Sequence, residues 1–180
     1  MVRTMDNGYR PIRWIGNRQL GSTDLAMNPK LAPVRISAGA LGNNMPERDL
    51  MVSPRHRVLI RSVIAQRIFK TNEVLVPAIK LCAMEGIEQV TSATEVEYWH
   101  ILLDAHEIIY SNGAATESML TGAEAMKAVS DETREEIIAL FPQIADPGYI
   151  ATTARHVSDR GKLYKQLVAR HAKNAKKLFA

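Results

Sequence analysis

The sequence predicts a mainly β fold with short helices toward its C-terminal end. Brief runs of β-branched and aromatic residues recur between positions 9 and 110, clusters of turn-forming residues separate them, and clear helix-start signals appear only after Ser118. The runs are RPIRWIG, APVRISAGALG, DLMVSPRHRVLI, EVLVP and TEVEYWHILL. Gly42-Asn43-Asn44-Met45-Pro46 and Lys70-Thr71-Asn72 punctuate them, and Asn112-Gly113 marks a tight turn, since glycine after asparagine supplies the positive φ such turns need. The segment AIKLCAME after Pro77 reads either as extended chain or as a helical turn ended by Gly86.

Past Ser118 the period becomes helical. TGAEAMKAV carries Thr121 and Glu124 at capping-box spacing. SDETREEIIALFP has Ser130 as N-cap, acids in its first turn, an Ile137/Ile138/Phe141 face and Pro142 as a stop. The final stretch, SDRGKLYKQLVARHAKNAKKLFA, sets Leu163, Leu167, Val168 and His171 at helical spacing with most lysines opposite. Residues 7–142 are therefore expected to form a β domain closed by two short helices, and residues 143–180 a basic, partly helical tail; no internal repeat or low-complexity tract interrupts either.

A chain of 180 residues, 46% of them hydrophobic, suffices for one sizeable core. The longest apolar stretch, EVLVPAIKLCAM, is broken by Pro77 and Lys80 well short of the roughly 20 residues a bilayer demands, and MVRTMDNGYR lacks an apolar signal core. No membrane partner is expected; the cytoplasm is the default compartment, with non-classical secretion left open. Charge runs basic, acidic, basic: +8 over residues 1–70, −11 over 71–150 and +7 over 151–180. Without aromatic residues interleaved among the basic ones, this pattern fits self-complementary charge within one domain better than a nucleic-acid surface. The lone Cys82 excludes an internal disulfide and a cysteine zinc cage, and reads as a small buried hydrophobe.

The residues able to carry chemistry are Ser53, His56, His100 and His106. Ser53 and His56 open an apolar strand as SPRHRVLI. In an extended VEYWHILLD, Tyr98, His100, Leu102 and Asp104 share one face and Trp99, Ile101 and Leu103 the other, while His106 falls where the chain bends before EIIY. A hydroxyl donor with imidazoles that titrate near neutral pH is what proton transfer to an amide requires. No spacing among the His, Asp and Glu residues matches a defined metal motif, so neither metal nor cofactor is expected.

The order of these pieces resembles the Hint fold shared by inteins and Hedgehog autoprocessing domains. There a Thr-x-x-His motif holds the scissile peptide, and a histidine followed by Ala-Asn-Gly precedes a closing strand; Ser53/His56 and His106 with Ser111-Asn112-Gly113 occupy these places. PIRWIG, RISAGALG, the Ser-Pro-x-His-Arg-Val-Leu segment, EVLVPA, Tyr-x-His and a Glu-Ser pair after the turn resemble bacterial Hedgehog/intein Hint domains of the second type, over roughly residues 7–142. The resemblance implies autoprocessing, a single-turnover rearrangement of a peptide bond related to self-cleavage and splicing, with Ser53, His56, His100 and His106 as its site.

Two departures shape the expectation. The family's first-position Cys or Ser lies a few tens of residues before the Pro-x-Arg-Trp-Ile-Gly strand, whereas Met1 stands ten residues before Pro11. The intein His-Asn pair is replaced by Glu117-Ser118, which removes asparagine cyclisation. The module is thus expected to be N-terminally incomplete, inactive alone, and completed by a flanking or trans-supplied N-terminal segment. The alternative is a non-catalytic β domain used for protein interaction. An open edge at RPIRWIG, with Ile12 and Trp14 needing cover, is the expected route to self-association.

Overall fold

A computed structural model describes residues 1–122, 125–126 and 129–179. In chain order the strands are β1 (Val2–Arg3), β2 (Tyr9–Arg10), β3 (Trp14–Leu20), β4 (Val34–Ile36), β5 (Leu50–Val52), β6 (Arg57–Arg61), β7 (Glu73–Pro77), β8 (Ile87–Gln89), β9 (Val96–Leu102), β10 (Ile108–Ser111) and β11 (Ala114–Glu117). Among the described residues the α-helices are α1 (Ser22–Met27), α2 (Val63–Phe69), α3 (Ala78–Leu81), α4 (Asp131–Leu140) and α5 (Gly161–Lys173). The chain is mainly β with short helices, as its pattern predicts. Glu124, and with it the expected capping box after Ser118, lies outside the described residues.

The central sheet has the order β10-β11-β6-β7, all antiparallel. Its strands are apolar almost throughout because both faces are covered: Val58, Leu59, Ile60, Val74, Leu75 and Val76 are all buried. Asn112 and Gly113 join β10 to β11 with φ of 48° and 80°, the two positive angles of a type I′ hairpin turn. A three-stranded sheet, β5-β4-β8, adds Val34, Ile36, Leu50 and Val52 to the same core. The long ribbon β3-β9 stands apart from both, pairing Trp14 with Leu102 through to Leu20 with Val96. Within it Trp14, Gly16 and Arg18 sit opposite Leu102, His100 and Tyr98, while Ile15 and Trp99 point outward, 55% and 58% exposed. Among the described residues β3 has no second neighbour in a sheet.

Local chemistry explains where the sequence pattern and the structure part. DLMVSPRHRVLI is two strands rather than one: Pro54 turns the chain, and the His56 N–H closes the turn on the Ser53 carbonyl at 3.0 Å. Strand β6 ends at Ser62, whose hydroxyl accepts the Ala65 N–H at 3.0 Å and starts α2, a helix the strand-rich pattern hides. Lys70 in the left-handed region, φ 65°, ends it. Likewise α1 begins where the Asp24 carboxylate accepts the Gly21 N–H. The ambiguous AIKL segment is the helical turn α3, and α4 starts at its expected cap, Ser130 accepting the Thr133 N–H.

The C-terminal residues enter the core. Tyr164, Leu167 and Val168 on α5 belong to the same cluster as Val58, Ile60 and Val76. The outer edge of β7 is closed by the extended segment preceding α5: Leu75 donates to the His156 carbonyl at 2.9 Å, and the Tyr164 hydroxyl donates to the Leu75 carbonyl at 3.0 Å. Past α5, Arg61 donates to the Leu178 carbonyl and Phe179 to that of Leu41.

Candidate active site

The antiparallel register that sets Thr116 against Val58 places Glu117 opposite Arg57 at the mouth of the central sheet. Glu117 is buried, its side chain 8% exposed, and its carboxylate gathers three donors. Its Oε1 accepts the Arg57 main-chain N–H at 2.9 Å, its Oε2 accepts Arg57 Nη1 at 2.9 Å, and His106 Nε2 lies 3.2 Å from Oε2. Burial pushes this carboxyl upward, but the His106 hydrogen bond and the Arg57 charge outweigh burial and hold it below the ordinary glutamate range.

His56 lies next to this cluster at the end of the SPRH turn. The turn is docked on α3 by two main-chain bonds, Ala78 N–H to the His56 carbonyl at 2.9 Å and Ile79 N–H to the Pro54 carbonyl at 3.1 Å. Its Nε2 is buried and has no hydrogen-bond partner among the described residues, a condition shared there only with Arg57 Nε. Native proteins leave few such atoms unpaired, and a free, buried imidazole nitrogen in a held turn is a position from which to meet a substrate. Burial dominates its titration and lowers its pKa; Glu117 opposes this, while His100, Arg57 and His106 add to it. His56 is therefore neutral near pH 7.

The other sequence-selected residues divide. His100 projects from β9 opposite Gly16, near enough for its charge to act on His56, and burial followed by the Arg18 charge lowers its own pKa. The His106 side chain is 2% exposed, with both ring nitrogens engaged: Nε2 by Glu117 and Nδ1 by the Ala154 N–H at 2.9 Å. Ser53 is half-buried one turn before His56; its carbonyl holds that turn, and its hydroxyl makes no hydrogen bond among the described residues. Asp104 does not share the strand face of His100, because β9 ends at Leu102 and Asp104 pairs with Arg13 instead.

Sequence reasoning missed Arg57, and it treated Glu117 only as a substitute for an intein residue. Only a partial signal exists: Glu117 is the one charge on the strand AATE and Arg57 opens the apolar run Val58-Leu59-Ile60, so each needs a partner, but which partner only the strand register shows. The family model for the Hint domain matches residues 1–123. This chain belongs to the Hint domain family. No curated protein and no solved structure gives a match. The Hint match includes the SPRH turn, the β3-β9 ribbon and the Glu117-Ser118 pair, and it ends before α4 and α5.

Proposed function

We propose that the chain is an autoprocessing module of the Hint family, one that rearranges a peptide bond on a polypeptide segment N-terminal to Val2, joined to it or supplied in trans. The observation that carries the reading is His56 Nε2, buried, unpartnered and held by a docked turn beside the Glu117–Arg57 pair. In the proposed step a Cys or Ser side chain on that segment attacks the carbonyl before it. Its proton passes through His56 to the departing amide nitrogen, and an amide becomes a thioester or ester that water or a second nucleophile opens. The pKa of His56, lowered by burial, suits delivery, since an imidazolium that forms there gives up its proton more readily than an exposed one. In this reading Ser53, one turn away, donates to the carbonyl, and His100 biases the charge of His56. The likeness to second-type Hedgehog/intein Hint domains supports these roles.

Release at Glu117-Ser118 is not part of the proposal. Ser118 is buried, its N–H donates to the Glu107 carbonyl at 2.9 Å, and its hydroxyl accepts the Glu107 N–H at 3.0 Å, which holds that peptide in regular pairing. The test is a fusion carrying a reporter and a junction cysteine ahead of Val2. Thiol-dependent cleavage at the junction is expected, with a loss of about a hundredfold or more in His56→Ala, the scale of a general acid–base residue. The 180-residue chain alone is expected to keep its intact mass in dithiothreitol. An uncleaved fusion, or an undiminished rate in His56→Ala, overturns the reading.

A second reading, a non-catalytic module that binds protein, is favoured by the exposed Ile15 and Trp99 on the outward face of the β3-β9 ribbon. It predicts that Trp99→Ser abolishes a partner complex or self-association seen by sedimentation, while His56→Ala leaves it intact.

A further inference from the structure

The Hint match stops at residue 123, yet the chain beyond it returns to the site. Ala154 lies at a bend in the irregular stretch between α4 and α5, and its N–H reaches His106 Nδ1 at 2.9 Å. A main-chain N–H only donates, so Nδ1 must present its lone pair and the ring proton must sit on Nε2. The Nε2–H then has one acceptor, Glu117 Oε2 at 3.2 Å. A backbone group thus selects the tautomer that lets His106 donate to the carboxylate.

The stretch is clamped on both sides of Ala154. Upstream, the Tyr149 hydroxyl bonds Thr121 Oγ1 at 2.7 Å. Downstream, Arg155 bridges Asp6 and Glu73, and the His156 carbonyl accepts from Leu75. Ala154 and Val157 also pack on the cluster of Leu59, Leu75, Ile108 and Ala115. Its position is fixed by contacts other than the one to His106, as a preorganised support must be.

We propose that residues 149–157 are a positioning strap of the Hint site: the Ala154 N–H pins the His106 tautomer, and His106 in turn holds Glu117 where it aligns Arg57 and the adjacent His56. The proposal rests on the reading of His56 as the group that meets the scissile bond, and it makes His106 a positioning residue rather than a carrier of protons. It also assigns the part of the chain beyond the family match to the site.

The test is nitrogen-15 NMR of the imidazoles in the full chain. The wild type is expected to show His106 protonated on Nε2 alone; a ring protonated on Nδ1, or averaged between the two, overturns the proposal. Ala154→Gly keeps the N–H and is expected to keep that spectrum, whereas Ala154→Pro removes the donor and is expected to move the His106 Nδ1 resonance. A folded proline variant with unchanged His106 signals overturns it. Should the proline variant not fold, exchange of the Ala154 amide decides. Protection in the wild type that falls at least tenfold in His106→Phe supports the strap, and no change refutes it. In the reporter fusion, Ala154→Pro is expected to slow cleavage by up to about a hundredfold, the scale of an ångström of misplacement. A pinned His106 in a fusion that never cleaves would leave the strap standing and remove the autoprocessing reading; a cleaving fusion with an unpinned His106 would do the reverse.

Discussion

Glu117→Gln replaces one oxygen by an NH₂ group of nearly the same shape, so a benign outcome would be the ordinary expectation. The hydrogen-bond inventory around Glu117 argues otherwise. Arg57 main-chain N–H, Arg57 Nη1 and His106 Nε2 all approach the carboxylate, and His106 is barred from becoming an acceptor there because Ala154 occupies its other nitrogen. A carboxamide has one oxygen to offer, so one orientation sets its NH₂ against His106 and the other sets it against Arg57. One buried donor is orphaned either way, a cost of about 2 kcal/mol. Glu117→Ala orphans all three and strips Arg57 of its charge partner. Since the Arg57 side chain is 27% exposed and can turn toward water, about 3 kcal/mol is expected, the lower end for breaking a buried pair.

Urea unfolding of the wild type and both variants at neutral pH measures these losses. Acid supplies an independent check. The folded pKa of Glu117 lies below the reference value of 4.5, so its stabilising contribution is present above 4.5 and disappears as pH falls through the folded value. The gap between wild type and Glu117→Ala should therefore be constant near neutral pH and close in acid. A Gln variant within about 0.5 kcal/mol of wild type would refute the argument, that being the size of an ordinary surface substitution. A gap unchanged by acid would show that packing, not charge, explains the loss.

Ser62→Ala removes both the α2 cap and the hydroxyl 2.9 Å from buried His171 Nε2, so a loss of about 2 kcal/mol is expected in urea melts; Ser62→Thr, which keeps the hydroxyl, should recover part of it. Gly113→Ala forces a side chain into φ 80° with its Cβ 2.9 Å from Glu47 Cγ, and should cost about 1–3 kcal/mol, whereas alanine at exposed Gly8, where a Cβ meets nothing within 4 Å, should cost no more than the backbone strain of its own φ 65°. Burial lowers the pKa of both His56 and His171 below 6.5, so the unfolded chain takes up protons first and stability should fall as pH drops below that value. A double His56→Gln/His171→Gln variant with an unaltered slope there would contradict this.

The mainly β class, the hairpin at Asn112-Gly113, the face division of β9 and the apolar stripe of α5 were legible because each rests on local periodicity or turn chemistry. Helices α1 and α2 were not, since one hydrogen bond at each start, to the carboxylate of Asp24 in the first turn or to the N-cap hydroxyl of Ser62, decides them in a stretch dominated by strand signals. The site shows the same boundary. His56 was marked by the SPRH turn, a local feature, but Glu117 meets Arg57 through strand register across 60 residues, and nothing near either position announces the other. With register known, the pairing follows from Thr116 facing Val58. The contact to His106 lies further out of reach: Ala154 acts through its N–H, a group every non-proline residue carries, so the side chain at 154 leaves no trace of it. What constrains that position is the exclusion of proline and the clamp of Arg155 and Tyr149 on either side. If the strap matters, Ala154→Gly and Ala154→Ser, small enough for the packing on Leu75 and Ile108, should be tolerated and proline should not, and the sensitive positions should include its neighbours, whose side chains place the backbone that makes the contact.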